Sequence, residues 1–202
     1  MSNYSQWEAL PTEAVHAFSR KLDRASESSI LDAMAEEDHR VVEAVRGEAA
    51  RIRKGAAKLA TALSAGGRVF YVGAGSSGRL GVLEAAECPP TFGTSLREIV
   101  AVMAGGDEAV FHSKEGAEDE VTEGQKALRA RRLSKKDVVV GISASSVTPF
   151  VAGALLYARE RGAATVLVTC GPRRRGIADV VVVTAVGPEL LAGSTRMKAG
   201  TA

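Results

Sequence analysis

One stretch constrains the fold of this chain more than any other: a hydrophobic run followed by a loop of glycines and serines. Residues 68–72 (RVFYV) are mostly β-branched or aromatic, and residues 73–78 read GAGSSG. The residues that follow have helical character up to Pro89 and Pro90, so the pattern predicts a strand, a loop and a helix that ends at the prolines. A loop of this kind at a helix N-terminus presents backbone N–H groups that can hold an anion. We therefore expect an anion-binding site at residues 73–78.

The rest of the chain repeats this alternation of strand and helix. Four further apolar runs predict strands at 98–103, 137–143, 164–169 and 179–184. Helical segments separate them, at 107–133 with a break near Gly116, and from Pro149 to about residue 162. Buried strands that alternate with helices of about a dozen residues are typical of a parallel sheet. The sequence therefore predicts an α/β fold, a doubly wound parallel sheet flanked by helices.

The first third of the chain is helical in pattern. Residues 1–11 are polar and are expected to be loose, and short helices are expected at 12–24 and 28–35. Residues 37–64 predict one long helix with an apolar stripe made of Val42, Val45, Ala49, Ile52, Ala56, Leu59 and Leu63. We expect this helix to pack on the sheet or on another subunit. The chain then divides into an N-terminal helical region, 1–64, and a sheet domain, 65–202.

Bulk properties exclude several classes of protein. The net charge of +2 gives no strong attraction to nucleic acid or membrane, and the basic clusters at 129–136 and 173–175 contain no interleaved aromatic residues. The two cysteines, Cys88 and Cys170, have no metal-ligand spacing. The start of the chain lacks the apolar core of a signal peptide, and no apolar run is long enough to span a membrane. A cytoplasmic protein with no nucleic-acid or membrane partner is the expectation.

A second hydroxyl-rich loop strengthens the interpretation of the first. Residues 143–149 read SASSVTP and follow the strand at 137–143, so both loops lie where parallel strands end. The first loop also matches the dinucleotide fingerprint G-x-G-x-x-G, but no acidic residue ends the next strand to bind a ribose. Ser76 and Ser77 add hydroxyl donors that suit a terminal phosphate. We expect the two loops to converge on one phosphate group.

Two acidic groups follow the loops and offer acid–base chemistry. Glu84 and Glu87 lie in the helix after the first loop, and residues 115–119 read EGAED. A carboxylate beside a bound phosphosugar can act as a general acid or base. Such carboxylates are more often surface residues that cap helices or form ion pairs, and the pattern alone does not decide between these interpretations.

Four segments resemble, in order and in spacing, the N-acetylmuramic acid 6-phosphate etherases. They are residues 71–81 (YVGAGSSGRLG), 87–93 (ECPPTFG), 115–119 (EGAED) and 187–202, the last of which ends in GSTRMKAGTA. These etherases are sugar isomerase (SIS) domain proteins, related to the glucokinase regulatory protein. The resemblance extends over about residues 12–202. It implies a SIS-type fold and the cleavage of the D-lactyl ether of N-acetylmuramic acid 6-phosphate to N-acetylglucosamine 6-phosphate and D-lactate.

The resemblance also implies roles for individual residues. Glu87 matches the glutamate that donates a proton, and Glu118 matches the second catalytic glutamate. The residues expected to bind the phosphosugar are Gly75, Ser76, Ser77, Gly78, Ser143, Ser145, Ser146 and Ser194. The family needs no metal or redox cofactor and forms homodimers with sites near the interface, so a homodimer is expected here.

The chain departs from the family in two places. The second loop of the family reads Ser-Gly-Arg-Thr-Pro, whereas residues 145–149 read Ser-Ser-Val-Thr-Pro. Full-length members also continue with further helices beyond the Gly-Thr-Ala motif. Two alternatives to a lyase therefore stay open: a non-catalytic sugar-phosphate sensor, and an aldose–ketose phosphosugar isomerase.

Overall fold

Five parallel strands form the centre of the molecule in a computed structural model that describes residues 10–202. They are β1 (Val69–Gly73), β2 (Ile99–Met103), β3 (Val138–Ile142), β4 (Ala164–Thr169) and β5 (Val180–Val183). Their order in the sheet is β2-β1-β3-β4-β5. This order is doubly wound, with the change of winding direction between β1 and β3, and the predicted α/β class is confirmed. The first nine residues, which include most of the polar start, lie outside the described residues.

Seven α-helices surround the sheet in the described part of the chain. They are α1 (Glu27–Gly47), α2 (Ala49–Ser64), α3 (Gly75–Phe92), α4 (Glu108–Phe111), α5 (Val121–Ala130), α6 (Pro149–Glu160) and α7 (Lys198–Thr201), with 3₁₀ turns at Ala17–Arg24 and Ala117–Asp119. None of the helices among residues 10–202 is both long and apolar enough to cross a membrane. The break expected near Gly116 is present, since α4, a 3₁₀ turn and α5 take the place of one helix.

The apolar side chains of the strands divide between the two faces of the sheet. Phe70 and Val72 face a cluster that includes Leu128 of α5 and Leu155 of α6. On the opposite face, Val69 belongs to a cluster that includes residues of α2 and α3. The period-two alternation of β1 therefore supplies both hydrophobic layers. Helices on both faces leave the carboxyl ends of the strands free for a site.

The long helix predicted at 37–64 is wrong in its bounds. The structure has two helices that meet at Glu48, and the first begins at Glu27. The carboxylate of Glu48 accepts hydrogen bonds from the backbone N–H of Val183, 3.1 Å, and from Arg173, 3.0 Å. These partners lie far away in sequence, so local periodicity gives no sign of the break. Several members of the predicted stripe are exposed, Val42 to 52% and Ile52 to 37%. Of the stripe, Leu59 does contact the sheet, together with Gly55 and Ala62 of α2, which were not part of it.

The helix after the first loop does not end at the two prolines as predicted. Pro89 and Pro90 lie inside α3, which continues to Phe92 and ends at Gly93 in a left-handed conformation, φ +69°. The N–H of Gly93 closes the last turn on the carbonyl of Pro89, 2.9 Å. A proline removes one helical N–H but leaves its carbonyl available. The last turn can therefore form across the prolines, and Glu87 lies well inside the helix.

Candidate active site

Residues 73–78, which we call the first serine loop, were predicted as a loop, but α3 already begins at Gly75, so Ser76 and Ser77 lie in its first turn. The connection from β1 to α3 is this short because two glycines approach closely. A Cβ atom on Gly78 would lie 2.7 Å from the carbonyl oxygen of Gly73 and 2.6 Å from Sδ of Met103. Only glycine leaves room for the helix to begin directly against the end of the strand. Ala74 precedes α3 and makes no side-chain capping bond. Among residues 10–202, the first N–H groups of α3 thus have no helical or side-chain acceptor, as an anion site requires.

The second serine loop follows β3, the strand adjacent to β1. Gly73 of β1 is in register with Ile142 of β3, so the two loops leave the same edge of the sheet. The hydroxyl of Ser143 is 2.7 Å from that of Thr148, and the N–H of Ser146 donates to the carbonyl of Ser143, 3.1 Å. The N–H of Val147 donates to Oγ of Ser145, 3.3 Å. These bonds hold the loop in one compact turn.

Ser146 is the unusual residue of this loop. Its φ is +65°, and its side chain is buried although its Oγ has no hydrogen-bond partner among residues 10–202. A non-glycine residue in the left-handed region costs about 1–2 kcal/mol. A buried hydroxyl without a partner costs a further 1–3 kcal/mol or so. An incoming acceptor such as a phosphate oxygen would offset the second cost.

The C-terminal segment, residues 187–202, lies beside the first serine loop. Ser76, Ser77, Ala144, Thr195 and Arg196 help to line a cavity of about 290 Å³, which we call the serine cavity. Ser194 lies beside it in sequence, is buried, and also has no partner for its hydroxyl in the described chain. The cavity thus combines a helix N-terminus, hydroxyl groups and an arginine, which together suit an anion.

Buried charges hold this segment in place. The carboxylate of Glu189 accepts from the backbone N–H groups of Lys198, 2.9 Å, and Ala199, 3.1 Å, at the start of α7. The ammonium of the buried Lys198 donates to Glu37 of α1 and to the carbonyl of Val186, 2.8 Å. Burial alone would raise the pKa of Glu37, but hydrogen bonding and charge attraction from Lys198 outweigh it, and the pKa is lowered. The N-terminal helices are therefore tied to the wall of the serine cavity.

Glu118 lies on a second cavity, of about 280 Å³, which we call the glutamate cavity. Gly75, Arg79, Lys114 and Thr148 contribute to its wall together with Glu118. Glu118 is half-buried in the 3₁₀ turn Ala117–Asp119, which follows Gly116 at φ +77°. The start of α3 belongs to both cavities, through Ser76 and Ser77 on one side and Gly75 on the other. The two cavities are therefore neighbours at the carboxyl edge of β1 and β3.

Arg79 separates the two cavities and lines both. Its guanidinium donates to the carbonyls of Val110, 2.7 Å, and Ala109, 2.9 Å. These carbonyls belong to α4, which leads into the segment that carries Glu118. Arg79 belongs to the segment 71–81 that resembles the etherases, but the resemblance implies no role for it. A lone arginine one turn into a helix gives no local sign of its partners.

Glu87 does not lie beside Glu118 within one chain. It is exposed on α3, twelve residues after Gly75. At 1.5 Å per residue this places it about 18 Å along the helix from the glutamate cavity. Glu87 lines neither of the two cavities among the described residues. The catalytic roles of both glutamates stay predictions, and they require a way to bring Glu87 to Glu118.

Tyr71, Glu84 and Cys88 form a small cluster on the sheet side of α3. The thiol of Cys88 is 3.6 Å from the carboxylate of Glu84. Burial, with the nearby charge of Glu84, raises the pKa of Tyr71 to about 12. The same two causes raise the pKa of the Cys88 thiol. Both groups stay protonated at neutral pH, which indicates that Cys88 is a packing residue and not a nucleophile.

The sheet order, the helices on both faces and the loops at the switch point are those of a sugar isomerase (SIS) domain. Residues 51–159 match the family model described as the glucokinase regulatory protein N-terminal SIS domain. The fold is also that of the phosphoheptose isomerase GmhA from Neisseria gonorrhoeae, with a TM-score of 0.60 and 21% identity over 87% of this chain and 92% of that one. A phosphoheptose isomerase from Francisella tularensis gives the same TM-score, 0.60, at 16% identity, over 79% of this chain and 85% of that one.

Curated relatives place the chain within this class. It is 50% identical over 195 residues to the N-acetylmuramic acid 6-phosphate etherase of Gloeobacter violaceus, covering 96% of this chain and 64% of that protein. It is 47% identical over 204 residues to the etherase of Salinibacter ruber, covering 100% of this chain and 66% of that protein. The chain belongs to the N-acetylmuramic acid 6-phosphate etherase family of SIS-domain proteins. It spans a little under two thirds of the length of these two relatives.

Proposed function

We propose that this protein is a carbon–oxygen lyase that cleaves the D-lactyl ether of N-acetylmuramic acid 6-phosphate. The products are N-acetylglucosamine 6-phosphate and D-lactate. The observation that carries the proposal is the position of Glu118. Glu118 lines the glutamate cavity together with Gly75, the first residue of α3, and the next two residues of α3, Ser76 and Ser77, line the serine cavity. A phosphate at the helix start therefore places a sugar chain beside a carboxylate. The family membership supports the same substrate.

In this proposal the phosphate is bound by both serine loops. The N–H groups at Gly75, Ser76 and Ser77 and the dipole of α3 favour a doubly charged anion. The free hydroxyls of Ser146 and Ser194 each gain an acceptor when the anion binds. The remaining binding residues are Gly78, which lets the helix approach the strand, and Ser143 and Ser145, which hold the second loop.

The chemistry is an elimination followed by addition of water. The aldehyde of the open-chain sugar makes the C2 proton acidic, and the carboxylate of Glu118 removes it. The electron pair forms the C2=C3 double bond as the C3–O bond breaks, and the leaving lactate oxygen takes a proton from Glu87. Water then adds at C3 and gives one proton to the Glu87 carboxylate, while the protonated Glu118 returns its proton to C2, so both carboxyl groups regain their starting states. Proton transfers and one water molecule balance the reaction.

A homodimer would supply the missing contact between the two glutamates. Glu87 is exposed on α3 together with Leu83, 57% exposed, and Phe92 near the end of the helix is 75% exposed. A self-complementary pairing along α3 would bury these side chains and bring Glu87 of one copy towards Glu118 of the other.

We further propose a cytoplasmic location, no nucleic-acid or membrane partner, and a division into the helical region 1–64 and the SIS domain 65–202.

The proposal is tested by adding N-acetylmuramic acid 6-phosphate and measuring D-lactate. We expect release by the unaltered protein and a loss of at least roughly a hundredfold in kcat for Glu118→Gln, within the range for a general base. Glu120→Gln is the matched control, because Glu120 is an exposed carboxylate two residues away. A folded protein that binds the sugar phosphate without releasing lactate would refute the lyase assignment.

One observation favours a second function, that of a sugar-phosphate sensor. Val147 stands where the family has an arginine, and Ser146 stands where it has a glycine. A loop altered in this way can keep phosphate binding and lose turnover. Thermal stabilisation by the sugar phosphate with no lactate release would identify the sensor.

A further inference from the structure

Lys114 is a cation on the glutamate cavity that the proposed chemistry does not use. It lies in the segment between α4 and the turn that carries Glu118, and it lines the same cavity as Glu118, Gly75 and Thr148. Its Cδ is 3.2 Å from the position that a Cβ on Gly105 would take. The absence of a side chain at Gly105 thus leaves the lysine stem a place to pack beside the cavity.

The charge of Lys114 is not neutralised within the described chain. Lys58, Lys126 and Lys198 each have a carboxylate oxygen within 4.0 Å. Among residues 10–202 no ion pair involves Lys114. Arg79, the other cation of this cavity, donates two of its N–H groups to backbone carbonyls. Arg79 is not ion-paired in the described chain either, but two of its N–H groups are already taken. The exposed Lys114 has no hydrogen bond from its ammonium among residues 10–202 and keeps all its donors for an incoming anion.

The proposed substrate carries two anionic groups. Its phosphate is at C6, and the carboxylate of the lactyl ether is attached through oxygen at C3. The helix start and the serine loops account for the phosphate, whereas Glu118 would repel the lactyl carboxylate at close range. A cation near Glu118 is needed to accept that second anion without loss of affinity.

We infer that Lys114 binds the carboxylate of the lactyl group and so distinguishes the ether substrate from sugar phosphates that lack it. This inference rests on the proposed function. An ammonium on a flexible stem suits the task better than a guanidinium fork would, since it pairs as a point charge and the lactate must leave after cleavage. The contact exists equally before and during the reaction, so it affects KM more than kcat.

The test measures how tightly two ligands bind to the protein with Lys114 and to the Lys114→Met variant. In a Glu118→Gln background, in which turnover is at least roughly a hundredfold slower, calorimetry measures the Kd of N-acetylmuramic acid 6-phosphate and of N-acetylglucosamine 6-phosphate. We expect Lys114→Met to weaken the first by roughly tenfold and to leave the second unchanged, as for loss of one charged hydrogen bond. Lys135→Met is the control, because Lys135 is an exposed lysine just before β3, at the opposite edge of the sheet.

Each other result has a separate meaning. Equal weakening of both ligands would overturn the inference, because Lys114 would then act on the phosphate or on the sugar that they share. No weakening of either would overturn it as well. If the protein with Lys114 intact binds neither sugar phosphate, the proposed function fails and the inference fails with it. Kinetics of Lys114→Met with Glu118 present give a second readout, in which KM rises and kcat is kept.

Discussion

The guanidinium of Arg79 donates a 2.7 Å hydrogen bond to the carbonyl of Val110 and so connects the phosphate-side helix to the segment that carries Glu118. A second bond, to the carbonyl of Ala109, fixes the plane of the guanidinium. The position of Glu118 relative to the start of α3 thus depends on a side chain that lies between the two cavities. This relationship makes Arg79 a positioning residue in the proposed reaction.

Replacement of Arg79 by alanine should lower kcat roughly ten- to a hundredfold, since a displacement of about 1 Å at a reacting group has effects of this size. The Kd for inorganic phosphate should change much less, because the serine loops remain. Arg79→Lys should recover little activity, because one ammonium cannot reproduce both bonds. Arg131→Ala is the control, since Arg131 is exposed and also donates to a backbone carbonyl, that of Ala127. A parallel loss of kcat and of thermal stability would indicate a merely structural role.

Ser146→Gly should change stability and ligand binding in opposite directions. Glycine adopts φ +65° without strain and removes a buried hydroxyl that has no partner among residues 10–202. After the extra entropy of glycine in the unfolded chain is subtracted, the free energy of unfolding should rise by about 1–4 kcal/mol. If the hydroxyl donates to phosphate, the Kd for the sugar phosphate should increase several-fold. Urea unfolding and calorimetry measure the two effects.

Ser145→Gly is the control for this substitution. Ser145 has an ordinary φ, and its Oγ accepts the bond from Val147, so the change should lower stability. A destabilised Ser146→Gly protein, or one that binds the sugar phosphate as well as before, would contradict the prediction.

Acid should weaken the attachment of the N-terminal helices through Glu37. Lys198, Arg40 and His16 surround this carboxylate and hold its pKa below the ordinary 4.5 although burial raises it. A group with a lowered pKa in the folded state stabilises the fold above its unfolded pKa and loses this effect as the pH falls. We expect Glu37→Gln to cost about 3 kcal/mol at pH 6, as for a broken buried pair.

The measurement is urea unfolding at pH 6 and below pH 4.5. The difference between the unaltered protein and Glu37→Gln should shrink as the pH falls, because Glu37 becomes protonated and loses its pairing with Lys198. Glu36→Gln is the matched control, since Glu36 is the preceding residue and is 66% exposed. A difference that stays constant or grows in acid would contradict the role assigned to Glu37.

The sheet could be predicted from the sequence because each strand carries its own signal, a short β-branched run that is buried on both faces. The loops at the carboxyl ends of β1 and β3 followed from the same pattern. The break at Glu48 was not predicted by the periodicity, and the hydrogen bond that Glu48 accepts there comes from Val183, which is remote in sequence. The distance between Glu87 and Glu118 could not be predicted either, because a motif gives the spacing of residues along the chain and not their separation in space. The helix break and the separation of the two glutamates both involve residues that are far apart in sequence.

The separation of Glu87 from Glu118 leads to a prediction about subunits. If each proposed site takes Glu118 from one copy and Glu87 from another, a Glu87→Gln protein and a Glu118→Gln protein are each inactive as homodimers. A mixed dimer of the two contains one complete site and one site that lacks both carboxylates. Co-expression with two different tags isolates the mixed dimer, and we expect it to release D-lactate at about half the rate of the unaltered dimer.

A mixed dimer of the Glu120→Gln protein with the Glu118→Gln protein gives the control, because its one complete site sets the rate of a half-active dimer. An inactive mixed dimer beside an active control would mean that both carboxylates act within one chain, and α3 would then have to bend or move to bring Glu87 to its own cavity.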